Sequence, residues 1–184
     1  SMGMGADHGI HVITAGEGFI SPLDTASWIA SVAESKRYDL ILTGAMSEDA
    51  MQGQVGPILA ELLGIPWATS TIFAQVSVDS GTLYAEREVE VGVRERLELD
   101  LPALLTLQSG INRPRYPSLS NMLRAFKQAL EIIEAGSGAA DRGKEHLVRL
   151  KYPEKSRAGR ILDGNAEQKA DQLLAILRDR AFIA

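Results

Sequence analysis

The segment 37–64 constrains the fold more than any other part of this 184-residue chain. Its apolar run 40–42 has the length and the polar boundaries of a buried strand in a parallel sheet. Pro57 suits the first turn of a helix because it has no amide hydrogen to lose, and Gly64 is typical of a helix end. The segment therefore predicts a strand, a loop of small residues and a helix that begins between Val55 and Pro57.

The loop of this segment has the features of an anion-binding corner. Gly44 follows the strand, at the edge where open α/β sheets bind ligands. Gly53 and Gly56 allow the backbone to approach a ligand closely, and the unpaired amides of a helix start attract phosphate. Corners of this kind also occur without a ligand. The loop has no basic residue and matches neither G-x-x-x-x-G-K-[ST] nor G-x-G-x-x-G, so a standard ATPase or dinucleotide dehydrogenase finds no support.

Four segments resemble one known family. The loop pattern G-x-x-x-x-D-x-x-x-x-Q-V-G-P, followed by LAELLGIP, resembles the nucleotide loop of electron transfer flavoprotein beta subunits. The run 85–106 is similar to that family's signature, with Val91 as its one departure, because the family usually has a small or acidic residue there. The runs 112–128 and 153–164 resemble the family's partner-recognition loop and the segment before its last helix. The four occur in the family's order and cover almost the whole chain.

The resemblance implies an α/β fold of the Rossmann-like, adenine nucleotide alpha hydrolase type. We expect a mainly parallel sheet with helices on both faces, an antiparallel ribbon and a C-terminal helical arm. Residues 1–135 would form a truncated nucleotide-binding domain, and residues 136–184 a linker and an arm that contacts the alpha subunit. Family members begin with a strand, a crossover helix and a second strand before the equivalent of MGMGADHGIHVI, so we expect roughly the first quarter to third of a typical subunit to be missing.

The resemblance also implies a function. Such a subunit is a noncatalytic half of a heterodimer whose alpha partner holds most of the FAD. Electrons would enter FAD from a dehydrogenase, such as an acyl-CoA dehydrogenase, and leave to an acceptor. The loop would bind AMP through backbone amides, and Asp49 would shape the loop or bind ribose. The implied cofactor-binding residues are Gly44, Asp49, Gln52, Gly53, Gln54 and Val55.

Two alternatives stay open at this stage. Some family members bind a second FAD and bifurcate electrons with NADH, and their loops resemble G-x-x-x-x-D-G-D-T-A-Q-V-G-P. This chain has Ala50, Met51 and Gln52 where those loops have glycine, aspartate and threonine, which favours AMP or no nucleotide. The second alternative is a nucleotide-binding interaction domain without a redox role.

The loop 112–117 is the predicted docking segment. Leu119 matches the exposed leucine that family members insert into a hydrophobic pocket of an acyl-CoA dehydrogenase. Arg115 and Tyr116 are candidates for stabilising this loop or contacting the surroundings of FAD. A structural turn also explains the segment, because its two prolines restrict the backbone and Ser118 or Ser120 can cap a helix.

Sequence periodicity predicts the remaining elements. The terminal helix carries an apolar stripe and follows a linker over 134–143, so it is expected either to dock on its own domain or, as the resemblance favours, to lie on the alpha subunit. The predicted strands cover 11–14, 69–78, 82–90, 94–99 and 101–107, and the predicted helices cover 21–35, 118–135 and 166–180.

Composition excludes several classes of function. With 24 acidic and 19 basic residues, the net charge of −5 gives no nucleic-acid footprint. The absence of cysteine removes disulfides and iron–sulfur ligation through thiolates. The chain shows neither a membrane span nor a signal peptide, which predicts a cytoplasmic location without membrane insertion. The three histidines suggest neither a nucleophile nor a metal site, and Glu48 beside Asp49 is not convincing acid–base chemistry.

Overall fold

The computed structural model describes residues 2–14, 19–135, 147–152 and 159–180. The chain divides into two compact units, Ser1–Leu147 and Val148–Ala184. The first unit contains β1 (Ile10–Ile13), α1 (Pro22–Lys36), β2 (Leu40–Gly44), α2 (Val55–Leu63), β3 (Trp67–Ser77), β4 (Thr82–Glu88), β5 (Arg94–Asp100), β6 (Ala103–Leu107), α3 (Leu119–Lys127) and β7 (Glu131–Glu134). The second contains α4 (Ala166–Asp179).

Five strands form one sheet in the order β2-β6-β3-β4-β5. The strands β2 and β3 both run parallel to β6, whereas β4 is antiparallel to both β3 and β5. The predicted α/β class, with parallel strands, an antiparallel ribbon and a C-terminal helix, is confirmed. The ribbon is continuous with the parallel strands, because β3 belongs to both.

A bulge in β3 allows this change of partner. The pairing of β3 with β6 shifts register between Ala68 and Thr71, and Ser70 has a φ of 53°, in the left-handed region. The Ser70 N–H donates to Oγ1 of Thr106 at 2.9 Å, so the displaced amide keeps a buried partner. Strand β3 can therefore leave β6 and continue alongside β4.

The alternating side chains of β6 divide the core into two layers. Leu104 is fully buried on the side of α1 and α2, where it joins Ala26, Ala30, Leu59 and Ala60. Its neighbours on the strand point the other way, because successive side chains of a strand face opposite sides. That second layer consists of Ala68, Leu83, Ala85, Ala103 and Leu105, all fully buried.

Local sequence determines where α1 and α2 begin and end. Ser21 and Asp24 form a capping box, in which the Ser21 side chain accepts from the Asp24 N–H and the Asp24 carboxylate accepts from the Ser21 N–H. Gly64 ends α2 with a φ of 65°, as predicted. Helix α1 thus begins one residue after the start of the predicted helix 21–35, and α2 begins at Val55, within the predicted interval from Val55 to Pro57.

The predicted helix over 118–135 is wrong in its second half. Helix α3 ends at Lys127, and Glu131–Glu134 forms the strand β7 parallel to β1. The Glu131 N–H donates to the Gly9 carbonyl at 2.9 Å, and the Ala135 N–H donates to the Ile13 carbonyl at 2.8 Å. Pairing with β1 therefore outweighs the helical preference of this segment, and two adjacent isoleucines favour the extended form.

Strand β1 pairs with β7 in a separate two-stranded sheet, although α1 connects β1 to β2. An apolar cavity of about 230 Å³ lies beneath α1, and its lining includes Ile10 and Val12 of β1 and Ile41 of β2. Lys36 at the end of α1 forms an ion pair with Glu131 of β7, with Nζ 2.8 Å from Oε2. Helix α1 thus contacts both sheets.

The second unit consists mainly of α4, which lies within the predicted helix over 166–180. Asn165 caps it with a capping box to Gln168, and Gln172 donates to the Asp163 carbonyl at 2.9 Å. Leu173 and Leu174 remain 47% and 43% exposed. Most of the predicted linker and the start of the run 153–164 lie outside the described residues. Within the described ranges, no helix has the length and apolar character needed to cross a membrane.

Candidate nucleotide-binding corner

The predicted corner forms where β2 ends and α2 begins. Gly44 is the last residue of β2 and is exposed. A Cβ built on Gly44 would meet nothing closer than the Met46 carbonyl oxygen, at 3.9 Å. One side of the Gly44 backbone is therefore open to a ligand.

The loop between Gly44 and α2 closes on itself. The Ser47 N–H donates to the Gln52 carbonyl at 3.0 Å, and the Gln52 N–H donates to Oγ of Ser47 at 3.4 Å. Met51 has a φ of 52°, which makes the tight reversal between these partners possible. The backbone of Gln52 thus fixes the loop, while its side chain has no hydrogen bond among the described residues.

Asp49 stabilises the same reversal. Its Oδ1 accepts from the N–H of Ala50 at 2.7 Å. That N–H, followed by the hydroxyl of Ser47, holds the pKa of the Asp49 carboxyl below its ordinary value. Of the two roles predicted for Asp49, this geometry favours shaping the loop over binding ribose.

We expect Ser47→Ala to raise the pKa of Asp49 part of the way to its ordinary value, because the Ala50 N–H would still stabilise the carboxylate. Because the pKa of Asp49 is lower in the folded loop than in the unfolded chain, its carboxylate stabilises the folded loop at pH values above the unfolded-state pKa. This contribution is lost as the pH falls through the pKa of the folded state. Carboxyl NMR titration measures the shift, with Ser80→Ala on the exposed β3–β4 turn as the matched control. An unchanged Asp49 pKa in Ser47→Ala would contradict the assignment.

Gly53 and Gly56 both lie against protein atoms. A Cβ on Gly53 would stand 2.7 Å from the Ala45 carbonyl oxygen. A Cβ on Gly56 would stand 2.6 Å from Cγ2 of Thr106 and 2.8 Å from Oγ1 of Thr43. Gly56 is buried and therefore lets the first turn of α2 rest directly on the ends of β2 and β6. The close approach of these glycines is to the protein itself, and their approach to a ligand stays a prediction.

The start of α2 offers the donors that a phosphate needs. Gln54 is the N-cap residue, and its side chain makes no capping hydrogen bond. The first intrahelical bond runs from the Ile58 N–H to the Gln54 carbonyl at 3.1 Å, so the amides of Val55 and Gly56 precede it. Pro57 has no amide hydrogen, so the backbone donors of this helix start are the N–H groups of Gln54, Val55 and Gly56.

Thr43 is a residue of this corner that the loop motif does not predict. Its Oγ1 is buried and has no hydrogen-bond partner among the described residues. It lies beside Gly56, under the helix start. Its position immediately before Gly44 is the sequence feature that marks it, because a polar residue there falls at the carboxyl end of a buried parallel strand.

The predicted docking residues lie on a different surface. Of the two predicted capping candidates, Ser118 caps α3 by accepting from the Asn121 N–H at 3.2 Å. Tyr116 is 95% exposed, Leu119 is 69% exposed, and Arg115 is also exposed. Helix α3 packs against the short turn Met2–Met4. None of the three side chains is in the core, which leaves them accessible to a partner.

Within the ranges that the structure describes, the remaining candidates form no alternative site. His8 and His11 are exposed, as are Glu48 and Asp49, and His146 lies outside the described residues. Among the residues that the structure describes, no three histidine, aspartate or glutamate side chains are grouped closely enough to hold a metal ion.

Comparison with known proteins gives the family. The family model for the electron transfer flavoprotein domain matches residues 1–141. The chain therefore belongs to the electron transfer flavoprotein domain family, and the resemblance to its beta subunits is confirmed.

The similar proteins carry consistent names. The electron transfer flavoprotein subunit beta of Bacillus subtilis (strain 168) is 37% identical over 154 residues, which is 82% of this chain and 59% of that protein. The corresponding subunit of Bos taurus is 35% identical over 86% of this chain and 62% of its own length. The mitochondrial subunit beta of Arabidopsis thaliana is 30% identical over 99% of this chain and 70% of its own length. The chain thus spans about three fifths of the length of the first two relatives.

Proposed function

We propose that this chain acts as the beta subunit of an electron transfer flavoprotein heterodimer. In this proposal an alpha subunit holds most of the FAD, which supplies the redox chemistry, and this chain positions partners around it. Electrons pass from a dehydrogenase, such as an acyl-CoA dehydrogenase, to an acceptor. The observation that carries the proposal is the folded corner between β2 and α2, in a chain whose relatives are named as beta subunits.

The corner is proposed to bind AMP. The amides of Val55 and Gly56 and the uncommitted amide group of Gln54 provide donors at the positive end of α2. The carboxylate of Asp49 accepts from the N–H of Ala50, within the loop. The open backbone at Gly44, together with Gln52 and Gly53 in the closed loop, completes the proposed cofactor-binding residues.

The unpartnered hydroxyl of Thr43 supports this assignment. A buried polar atom without a hydrogen bond is costly, and a bound group or a water molecule would satisfy it. Because Thr43 Oγ1 lies beside Gly56 at the start of α2, that partner would lie at the corner itself.

Two protein contacts belong to the same proposal. Arg115, Tyr116 and Leu119 dock a partner dehydrogenase, with Leu119 entering an apolar pocket. The exposed leucines of α4 provide an apolar face for the alpha subunit, so residues 136–184 act as linker and arm. A cytoplasmic location is proposed on composition alone.

Co-purification with an alpha-type subunit tests the proposal. We expect a complex with flavin absorbance that releases one FAD and one AMP on denaturation. Gln54→Glu places a negative charge at the helix start, so it should reduce the retained AMP severalfold while leaving FAD in place. Gln75→Glu, on the exposed part of β3, is the matched control and should retain both.

The other outcomes separate the alternatives. Two FAD per heterodimer would favour an electron-bifurcating, NADH-linked subunit with a second FAD at the corner. Nucleotide binding without flavin or an alpha subunit would favour a non-redox interaction domain. If both the Gln54→Glu variant and the Gln75→Glu control form the complex without any nucleotide, the corner is a structural turn only.

A further inference from the structure

Helix α3 carries an apolar surface beyond the predicted docking residue. Leu119, Leu123 and Phe126 follow one another at helical spacing and are 69%, 56% and 88% exposed. These three residues are called the α3 stripe below. Met122, on the adjoining side, is only 39% exposed because it packs towards the short turn Met2–Met4, where its Cα lies 3.8 Å from a Cβ built on Gly3. Helix α3 has no buried residue, and the α3 stripe contains its three most exposed large apolar side chains.

Phe126 is the most exposed member of this surface. It lies seven residues after Leu119, which places the two side chains on the same face of the helix, roughly 10 Å apart along its axis. An isolated exposed apolar side chain is ordinary, but three contiguous ones on one helix face indicate an interaction surface. A partner that received Leu119 alone would leave Phe126 in water.

The charge around the α3 stripe indicates the chemistry of its partner. The chain has a net charge of −5, yet no acidic residue occurs between Asp100 and Glu131. The same interval contains four basic residues: Arg113, Arg115, Arg124 and Lys127. Arg124 and Lys127 lie in the last turn of α3. Lys127, four residues after Leu123, borders the stripe on the side away from Met122, and Arg124 lies further round the same side of the helix.

We propose that the α3 stripe, with Phe126 as a second anchor, docks into an apolar groove with an acidic rim on a partner protein. This inference rests on the proposed docking of Leu119 to a dehydrogenase and adds the extent and the charge of the contact. Aromatic anchors dominate interface energetics, whereas rim charges mainly set the association rate. An anionic membrane is the less suitable partner, because α3 has only nine residues and membrane-surface helices are commonly longer.

Binding kinetics with an acyl-CoA dehydrogenase as the probe test this inference, using the full chain in complex with the alpha-type subunit. We expect Phe126→Ala to weaken binding by about tenfold or more. The charge reversal Arg124→Glu with Lys127→Glu should slow association by about tenfold at low salt and much less at high salt. Phe126 is so exposed that its loss should leave the thermal midpoint unchanged. Val78→Ala, an 85% exposed valine on the β3–β4 turn, is the matched control.

The variants distinguish this inference from the proposed function. If Leu119→Ala weakens binding and Phe126→Ala does not, the second anchor is wrong and the Leu119 docking role stands. If neither affects binding to the flavin-loaded complex, both docking assignments are wrong. If Phe126→Ala instead abolishes binding to phosphatidylserine-containing vesicles and leaves dehydrogenase binding intact, the surface is a membrane contact and the inference is overturned.

Discussion

Replacing Leu104 by alanine should lower the free energy of unfolding by about 2–5 kcal/mol, the range for large-to-small changes at fully buried leucines. Leu104 has no exposed surface and joins β6 to Leu59 and Ala60 of α2. The resulting cavity would lie directly beneath the helix whose start forms the nucleotide corner. We therefore expect faster amide exchange along Val55–Leu63 together with weaker AMP retention, measured by hydrogen exchange and by release of bound nucleotide.

Leu105→Ala is the matched control for this prediction. Leu105 is the next residue of β6, equally buried, and belongs to the layer on the opposite face of the sheet. Leu105→Ala should lower the free energy of unfolding by a similar amount. It should leave the rate of amide exchange in α2 and the amount of retained AMP close to the values of the unaltered protein. Equal effects of the two substitutions on the corner would show that the two core layers are not independent.

Gly56→Ala has the second largest expected effect, about 1–3 kcal/mol, because overpacking a close contact forces the backbone to shift. The added methyl would stand 2.6 Å from Cγ2 of Thr106 and 2.8 Å from Oγ1 of Thr43. Alanine's better helix propensity offsets only part of this cost. The start of α2 must move away from the strand ends, so thermal unfolding should occur at lower temperature and AMP retention should fall.

Two further substitutions make this prediction specific. Gly159→Ala adds the same methyl where nothing lies within 4 Å, so it should leave stability unchanged. Thr106→Ser removes the nearest obstructing atom while keeping the hydroxyl that accepts from Ser70, so it should recover part of the stability lost in Gly56→Ala. The interaction energy follows from a double-mutant cycle. Additive effects of Gly56→Ala and Thr106→Ser would contradict a direct clash.

Local sequence signals predicted the corner's framework well, because each of those signals acts within one turn of the chain. Pro57 lies in the first turn of α2, and Gly64 adopts the left-handed conformation that ends this helix. The strand before the corner and the helix after it begin and end where the sequence indicates. The fold class and the family were likewise recognisable from motifs in their order along the chain.

The errors and omissions have a common cause in contacts between distant segments. Residues 131–134 read as the end of a helix, but the free backbone groups of β1 pair with them and make them a strand. The left-handed Ser70 and the bulge around it depend on Thr106, thirty-six positions away. The loop pattern did not indicate that Gly53 packs against Ala45 and Gly56 against Thr43 and Thr106, and the approach of these glycines to a ligand stays a prediction.

The sequence by itself therefore determined the class of the fold, the family, and the position of a strand, loop and helix suited to a phosphate. The elements depend on residues within a few positions of one another, and the family depends on the order of motifs along the chain, so a one-dimensional pattern contains both. Only the tertiary structure decided which strand pairs with β1, which atoms lie against Gly56, and that Phe126 extends the exposed surface of Leu119. Those outcomes depend on which atoms from distant parts of the chain lie beside a residue, and only the packing of the folded chain determines those neighbours.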